Sequence, residues 1–274
     1  MQNEMPIRLI ATDIDGTLLN DKGIIPPENI AAIREAQEKG ITVAIASGRY
    51  VENVYMLLQE YGLSCHIIGV NGARITDRNL QVMSQHFMDP QVVLKVHDTI
   101  RSFGANYFIF GPDHICTGRE ADKHHSELAY GKGIEKLGFH FYHGQEEADR
   151  CCQGPVYKFF VCDNVPLPPI REALKNIDGI ELTQSSPRNI EIMPVGVDKA
   201  QGIRDLANVL GISLSQVMTL GDEANDIPML QAAGYGVAMG NGSQAAKDAA
   251  RFVTDANYEG GWANAVRKYA LSFE

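Results

Sequence analysis

Asp13-Ile14-Asp15-Gly16-Thr17-Leu18-Leu19 follows directly on the apolar run at residues 7–11. Arg8-Leu9-Ile10-Ala11-Thr12 is short, apolar and β-compatible, the pattern of a strand buried on both faces of a parallel sheet. Two carboxylates stand at its carboxyl end, and Gly16 interrupts the strand at once. In an open α/β sheet, ligands bind at that edge, beside the point where strand order reverses. Residues two apart in extended backbone point to the same side, so Asp13 and Asp15 are expected to share a direction. One can then act as nucleophile while the other exchanges protons with a leaving group and with water. The same residues also describe a solvated acidic turn, and the rest of the chain decides between the two.

Outward from this stretch, strands and helices alternate. Pro27-Glu28-Asn29 opens a helix closed by Gly40, and residues 41–46 form a second buried strand ending on Ser47-Gly48-Arg49. A helix at 51–61 and a strand at 65–70 follow, the latter ending on Asn71-Gly72-Ala73. Short links between such units predict an α/β fold, a Rossmann-like doubly wound parallel sheet. Asp21-Lys22-Gly23, between Leu18-Leu19 and Ile24-Ile25, predicts a small hairpin flap beside the first strand.

From Arg74 the pattern changes. A hairpin over 74–87 is expected to lead away from the sheet, followed by a helix at 90–103 and strands around Gly111-Pro112-Asp113. A polar helix carrying His124 and His125, a strand at 156–162, a helix at 168–176 and a strand pair over 180–193 complete this stretch. The parallel rhythm resumes with a helix from Lys199 and a strand at 217–220 ending on Gly221-Asp222-Glu223-Ala224-Asn225-Asp226. The chain is read as a core of residues 1–83 and 191–274 interrupted by an α+β domain at 84–190.

Composition narrows the partners. The 274 residues carry 24 Lys and Arg against 34 Asp and Glu, a net charge of −10. That balance argues against a nucleic-acid or anionic-membrane surface, while leaving a local cationic pocket possible. No apolar run approaches the roughly eighteen residues that span a bilayer. Met1-Gln2-Asn3-Glu4-Met5-Pro6 has neither the basic nor the apolar segment of a signal peptide. The five cysteines, Cys65, Cys116, Cys151, Cys152 and Cys162, show no Cys-x-x-Cys spacing. They read as reduced thiols of a cytoplasmic protein, with Cys151-Cys152 as loop thiols whose adjacency leaves redox activity open.

Polar tips fall at or beside one sheet edge: Asp13 with Asp15, Ser47, Lys199, and Asp222 with Asp226. Asp222 and Asp226 are four apart at a strand-to-helix turn and can face one cavity, although an N-cap and a first-turn acid would look the same. Hard carboxylate oxygens are what Mg²⁺ selects. With Asp15 protonated, the charges of Asp13, Asp222 and Asp226 are matched by Mg²⁺ and Lys199. Without those cations a phosphate at about 4 Å meets roughly 4 kcal/mol of repulsion per charge pair. Lys199 in a first helical turn runs against the helix dipole, which calls for another reason for its presence. The Ser47 hydroxyl and the Gly48 N–H suit an anion, though Ser47 also reads as a plain N-cap. Arg49 and Asn71 can reach a bound phosphoester or pin loops.

These motifs, in this order, resemble those of the haloacid dehalogenase superfamily. The long insertion after Asn71-Gly72-Ala73, with Gly236-Val237-Ala238-Met239-Gly240-Asn241 near the end, is similar to its Cof-type (subfamily IIB) branch. The resemblance covers essentially the whole chain. It implies a Mg²⁺-dependent phosphatase of small phosphorylated metabolites, sugar phosphates foremost, with a hexose-phosphate mutase or a non-catalytic sensor as alternatives on the same scaffold. It also implies that Asp13 is the nucleophile and Asp15 the general acid/base. Ser47, Gly48 and Lys199 would hold the phosphoryl group, and Asp13, the Asp15 carbonyl and Asp222 the metal, supported by Asn225 and Asp226. The inserted domain would be a cap that selects substrate. His114, Arg119, His124, His125, Lys158 and Arg188 are its candidate contacts, and the oligomeric state stays open.

Overall fold

The computed structural model describes residues 6–118, 134–162, 164–184 and 187–272. Two compact units emerge, one from the chain up to Gln85 and from Asp198 onward, the other His86–Val197. The second junction lies after the expected residue 190, because β11 (Asn189–Pro194) pairs within the second unit.

The first unit holds one sheet of eight strands in the order β14-β13-β12-β1-β2-β3-β4-β5. Its centre is β1 (Leu9–Thr12), flanked in parallel by β2 (Thr42–Ala46) and β12 (Val217–Gly221). The chain runs outward through β2 and β3 (His66–Gly69), then returns to the far side of β1 as β12, β13 (Tyr235–Ala238) and β14 (Phe252–Val253). Strand order therefore reverses at β1, which opens a crevice at its carboxyl end.

Alternate residues of these strands feed two layers. Ile10, Val43, Ile45 and Ile67 pack with Ile33 and Ala36 of α1 (Pro27–Glu38) and with Trp262. Leu9, Ala11, Ala44 and Ile68 pack with Ala200, Ile203 and Leu206, which belong to the helix Lys199–Val209. Burying both faces is why the strands read as unbroken apolar runs.

The hairpin β4 (Arg74–Thr76) and β5 (Val82–Gln85) departs from expectation. It extends the same sheet as an antiparallel edge, with Ile68 opposite Ile75, rather than leading away. Ile75 has an apolar layer to enter there, since it is fully buried with Ile68 and Ile203. The expected flap is also absent as a strand pair: Gly23 N–H donates to Asn20 O at 2.9 Å and closes a single turn.

The described residues of the second unit form a six-stranded sheet in the order β10 (Ile180–Thr183), β11, β9 (Lys158–Cys162), β6 (Tyr107–Phe110), β7 (His114–Thr117) and β8 (His140–His143), antiparallel except for β7 with β8. Three α-helices are described in it: α3 (Pro90–Ser102), α4 (Gln145–Cys151) and α5 (Leu167–Leu174), numbered after α2 (Val51–Glu60). Asp89 caps α3 by accepting from the N–H groups of Gln91 and Val92, and Pro90 supplies the first helical residue. Val93, Val96, Ile100, Ile170 and Leu174 pack on Ile109, Val161, Ile190 and Ile192 of the sheet. This is an α+β module, with β8 (His140–His143) and α4 as elements that periodicity did not reveal. The expected helix carrying His124 and His125 lies outside the described residues, as does Arg119.

Candidate active site

The crevice at the end of β1 begins with a divergence. Asp13 stays extended and only 8% exposed. The chain then enters one helical turn, Ile14–Leu18, broken at Asp15 (φ −80°, ψ 121°) and Gly16 (φ 79°). This turn cancels the two-residue alternation expected of a strand, and the Asp15 side chain is 62% exposed instead. Arg49 holds it there through a bidentate pair, Nη2 to Oδ1 at 2.5 Å and Nε to Oδ2 at 3.0 Å. Gly16 has a second reason to lack a side chain, because a Cβ would fall 2.2 Å from Asp222 Oδ2.

Lys199 is the hub of the buried charges. It opens the next helix of the first unit, α6 (Lys199–Val209), and is 1% exposed. Its Nζ donates to Asp13 Oδ1 at 2.5 Å and to Asp226 Oδ1 at 2.7 Å. That pairing supplies the reason for a cation in a first helical turn. Asp226 spends its other oxygen on the N–H groups of Asp222 and Glu223, at 2.9 and 3.0 Å. It thereby fixes the loop after β12 and orients the lysine. Thr17 Oγ1 donates to Asp222 Oδ1 at 2.8 Å, tying the loops after β1 and β12 together. Asn225 lies half-buried on the turn Ala224–Asp226.

Asp13, Asp222 and Asp226 each present an oxygen within 4.8 Å of the others. One lysine cannot neutralise this set, and the surroundings show it. Burial pushes the Asp13 carboxyl up to about 7 despite Lys199, with the charges of Asp226 and Asp222 adding to the rise. Burial likewise pushes Asp222 up to about 6, against the Thr17 hydrogen bond. Burial works against the Lys199 ammonium too, but Asp13 and Asp226 overcome it and raise its pKa. Hard, buried oxygen donors with excess negative charge are the donor set of a small divalent cation such as Mg²⁺. Asp13 and Asp222 could hold such an ion, since both Asp226 oxygens already accept hydrogen bonds.

Ser47 follows β2 and is 2% exposed, its Oγ accepting from the Arg49 N–H at 3.2 Å. The segment beside it is strained: Val70 and Asn71 both have φ 52°. Hydrogen bonds from Val70 N to Arg49 O and from Asn71 N to Ser47 O, each 2.9 Å, hold this conformation. The Asn71 amide thus comes against Gly48, where a Cβ would lie 3.0 Å from its Oδ1. Asn71 therefore shapes the Ser47-Gly48 turn.

Sequence reasoning missed the supports of the loop after β1. Asn241 donates to Gly16 O at 2.8 Å, Asn29 to Leu18 O at 3.0 Å, and Asn257 to Leu19 O at 2.8 Å. Trp262, buried in a C-terminal helix (Gly261–Val266), donates from Nε1 to Thr12 Oγ1 at 2.8 Å. Asn29 and Asn241 stood inside quoted stretches, though without this role; Asn257 and Trp262 carry no local signal, because their partners are over two hundred residues away.

In the second unit, Lys158 is buried in an ion pair with Glu191 at 2.6 Å and lies over the Phe110 ring. His114 contacts Asp113 at 3.0 Å. Arg188 is exposed.

Comparison with known proteins agrees with this geometry. The family model of the haloacid dehalogenase-like hydrolases matches residues 10–266. The chain is 32% identical over 272 residues to the 5-amino-6-(5-phospho-D-ribitylamino)uracil phosphatase YcsE of Bacillus subtilis, covering 98% of each. A haloacid dehalogenase-like hydrolase from Bacteroides thetaiotaomicron superposes with TM-score 0.80 at 28% identity, covering 96% of this chain and 99% of that one. The subclass IIB sugar phosphatase BT4131 does so with TM-score 0.81 at 26% identity, covering 96% and 99%. With the motifs, the doubly wound sheet and the carboxylate–lysine crevice in agreement, the chain belongs to the haloacid dehalogenase-like hydrolases, in their Cof-type branch.

Proposed function

We propose that this protein is a Mg²⁺-dependent phosphatase that hydrolyses small phosphorylated metabolites, sugar phosphates foremost, through an aspartyl phosphate on Asp13. The observation that carries the reading is the buried Lys199 bridge between Asp13 and Asp226, with Asp222 completing a set within 4.8 Å. Such a site is over-supplied with negative charge until a divalent cation enters, and is then ready for a phosphoryl group.

An Asp13 carboxylate oxygen attacks phosphorus while the bond to the leaving oxygen breaks. Asp15 donates a proton to that oxygen, then takes one from the water that cleaves the acyl phosphate and releases inorganic phosphate. For this its side chain leaves Arg49 and turns inward, a rotation that its exposed position allows. Lys199, Ser47 and the Gly48 N–H stabilise the phosphoryl oxygens. The cation, when bound, neutralises carboxylate and phosphoryl charge. Arg49 and Asn71 are the proposed substrate contacts, and the unit of residues 86–197 is the proposed cap. Free thiols and the lack, among the described residues, of a helix long and apolar enough to cross a membrane suit a cytoplasmic enzyme.

The test is phosphate release across a panel of phosphorylated metabolites in Mg²⁺. The panel includes 5-amino-6-(5-phospho-D-ribitylamino)uracil, because that compound names the activity of a relative. Release of inorganic phosphate that Asp13→Asn abolishes supports the proposal. An isomerised sugar phosphate without release would identify a mutase, and no turnover on any member or on an aryl phosphate would leave a sensor.

A further inference from the structure

The C-terminal stretch 254–262 is built to hold one indole in a fixed place. Gly260 takes a left-handed φ of 76°, and Gly261 comes so close to the segment after β14 that a Cβ would lie 1.9 Å from Asp255 O. The Gly261 N–H donates to Ala256 O at 3.0 Å, and the Gly261 carbonyl accepts from the Thr254 hydroxyl at 2.8 Å. Trp262 follows and is fully buried, in the same apolar layer as Ile10 and Ile14. Its indole N–H donates to Thr12 Oγ1 at 2.8 Å, and Thr12 Oγ1 donates in turn to Asp13 O at 2.9 Å. The order of this chain is dictated by its members. An indole N–H can only donate, so the hydroxyl accepts it and has one proton left to give. Thr12 is as buried as the indole, so a bond left unmade there carries its full desolvation cost.

We propose that Trp262 is a positioning residue for Asp13, acting through the Thr12 hydroxyl on the Asp13 carbonyl. The inference rests on the proposed role of Asp13 as nucleophile. A planar peptide joins Asp13 to Ile14, so anchoring the carbonyl anchors that plane. Asp13 keeps its extended φ of −69° and ψ of 167° at the point where the chain turns helical. Lys199 holds the Asp13 carboxylate at 2.5 Å, and the Trp262–Thr12 chain holds the main chain behind it. An attacking atom misplaced by about 1 Å can cost about a hundredfold in rate, which is the reason to anchor it from both ends. Indole and hydroxyl are neutral, so this anchor leaves the charge balance of carboxylates and lysine untouched. Two further bonds from the C-terminal part act farther along the loop. Asn241, its amide oriented by the Asn257 N–H at 2.8 Å, holds Gly16 O, and Asn257 holds Leu19 O. Of these three anchors, the Trp262 chain is the one that ends on Asp13.

The experiment removes the N–H and keeps the ring. Because the sequence has one tryptophan, feeding benzothienylalanine in its place puts sulfur where the N–H stood, at nearly unchanged shape. Trp262→Phe and Thr12→Val are the encoded counterparts, and Thr12→Ser keeps the hydroxyl. Two quantities are read on the folded full chain in Mg²⁺: the carbonyl ¹³C resonance of Asp13, and kcat and KM for phosphate release from p-nitrophenyl phosphate. Expected is an upfield move of that resonance in the benzothienylalanine protein, in Trp262→Phe and in Thr12→Val. In all three kcat falls about tenfold with KM within about twofold, while Thr12→Ser retains most of the wild-type kcat. The double variant Trp262→Phe/Thr12→Val loses no more than Thr12→Val alone, since both changes cut the same chain. An unmoved Asp13 resonance or an unchanged kcat in the benzothienylalanine protein would overturn the proposal, as would losses that multiply in the double variant. A role in packing alone gives a lower thermal midpoint at unchanged kcat. Where Trp262→Phe folds poorly, the benzothienylalanine protein carries the test. Should wild-type protein release no phosphate from any substrate, the proposed function fails, and the Asp13 resonance still decides the positioning.

Discussion

The two acids of the opening motif have opposite surroundings, and their substitution should show it. Asp226 supports Asp13 through Lys199: it is fully buried and its carboxylate accepts from Lys199 and two backbone N–H groups. An amide in its place turns a donor toward those donors and strips Lys199 of a partner. Asp226→Asn should cost about 3–5 kcal/mol of stability, read as a large fall in urea midpoint at unchanged slope. The Asp15–Arg49 pair is exposed on both sides, so Arg49→Ala should cost less than about 1 kcal/mol in the same assay. If Arg49 also meets the substrate, as proposed, that variant raises KM about tenfold and leaves kcat nearly unchanged. The identities of Asp13, Lys199 and Asp222 were legible because each ends a strand or starts a helix at one sheet edge. The outward turn of Asp15 was not, since it depends on a helical turn whose break at Gly16 follows from the approach of Asp222.

At the scale of elements, local pattern carried most of the core. Apolar runs located β1, β2, β3 and β12, and Pro27, Asp89-Pro90 and Gly40 marked helix ends. The failures are of another kind. Whether a hairpin joins a sheet or leaves it depends on an edge that only the assembled sheet offers, so β4 and β5 were misplaced. The helix Gln145–Cys151 has too few turns to display a period, and Cys151 and Cys152, which read as loop residues, are both buried at its end. The loop after β1 is pinned by Thr17, Asn29, Asn241 and Asn257. Gly16→Ala should break this element, combining a positive φ with a contact of 2.2 Å to Asp222. Phosphate release should fall by at least a hundredfold, with the far-ultraviolet circular dichroism of the sheet retained.

For the whole molecule, the charges of the crevice link proton binding to folding, and, if a divalent cation enters there as proposed, to cation binding. Asp13 has an ordinary pKa of 3.8 and one of about 7 when folded. Asp222 goes from 3.8 to about 6. Between those values the folded state holds protons that the unfolded chain has released. Their contribution to stability is therefore full below about pH 4 and lost as pH rises toward 7. A divalent cation needs the ionised forms and opposes that loss. In chelator-treated protein the thermal midpoint should fall relative to the Mg²⁺-loaded protein as pH is raised from 5 to 8, the gap widening throughout; a constant gap would contradict the linkage. The two-unit organisation was legible from a change of rhythm near Arg74 and its return near Lys199. The junctions moved because β5 belongs to the first sheet and β11 to the second. One contact turns this arrangement into an instrument. The chain has a single tryptophan, and its indole N–H is hydrogen-bonded to the residue preceding Asp13. On the proposed mechanism its emission should therefore shift when that aspartate is phosphorylated or its neighbours change charge, giving a label-free optical record of each turnover.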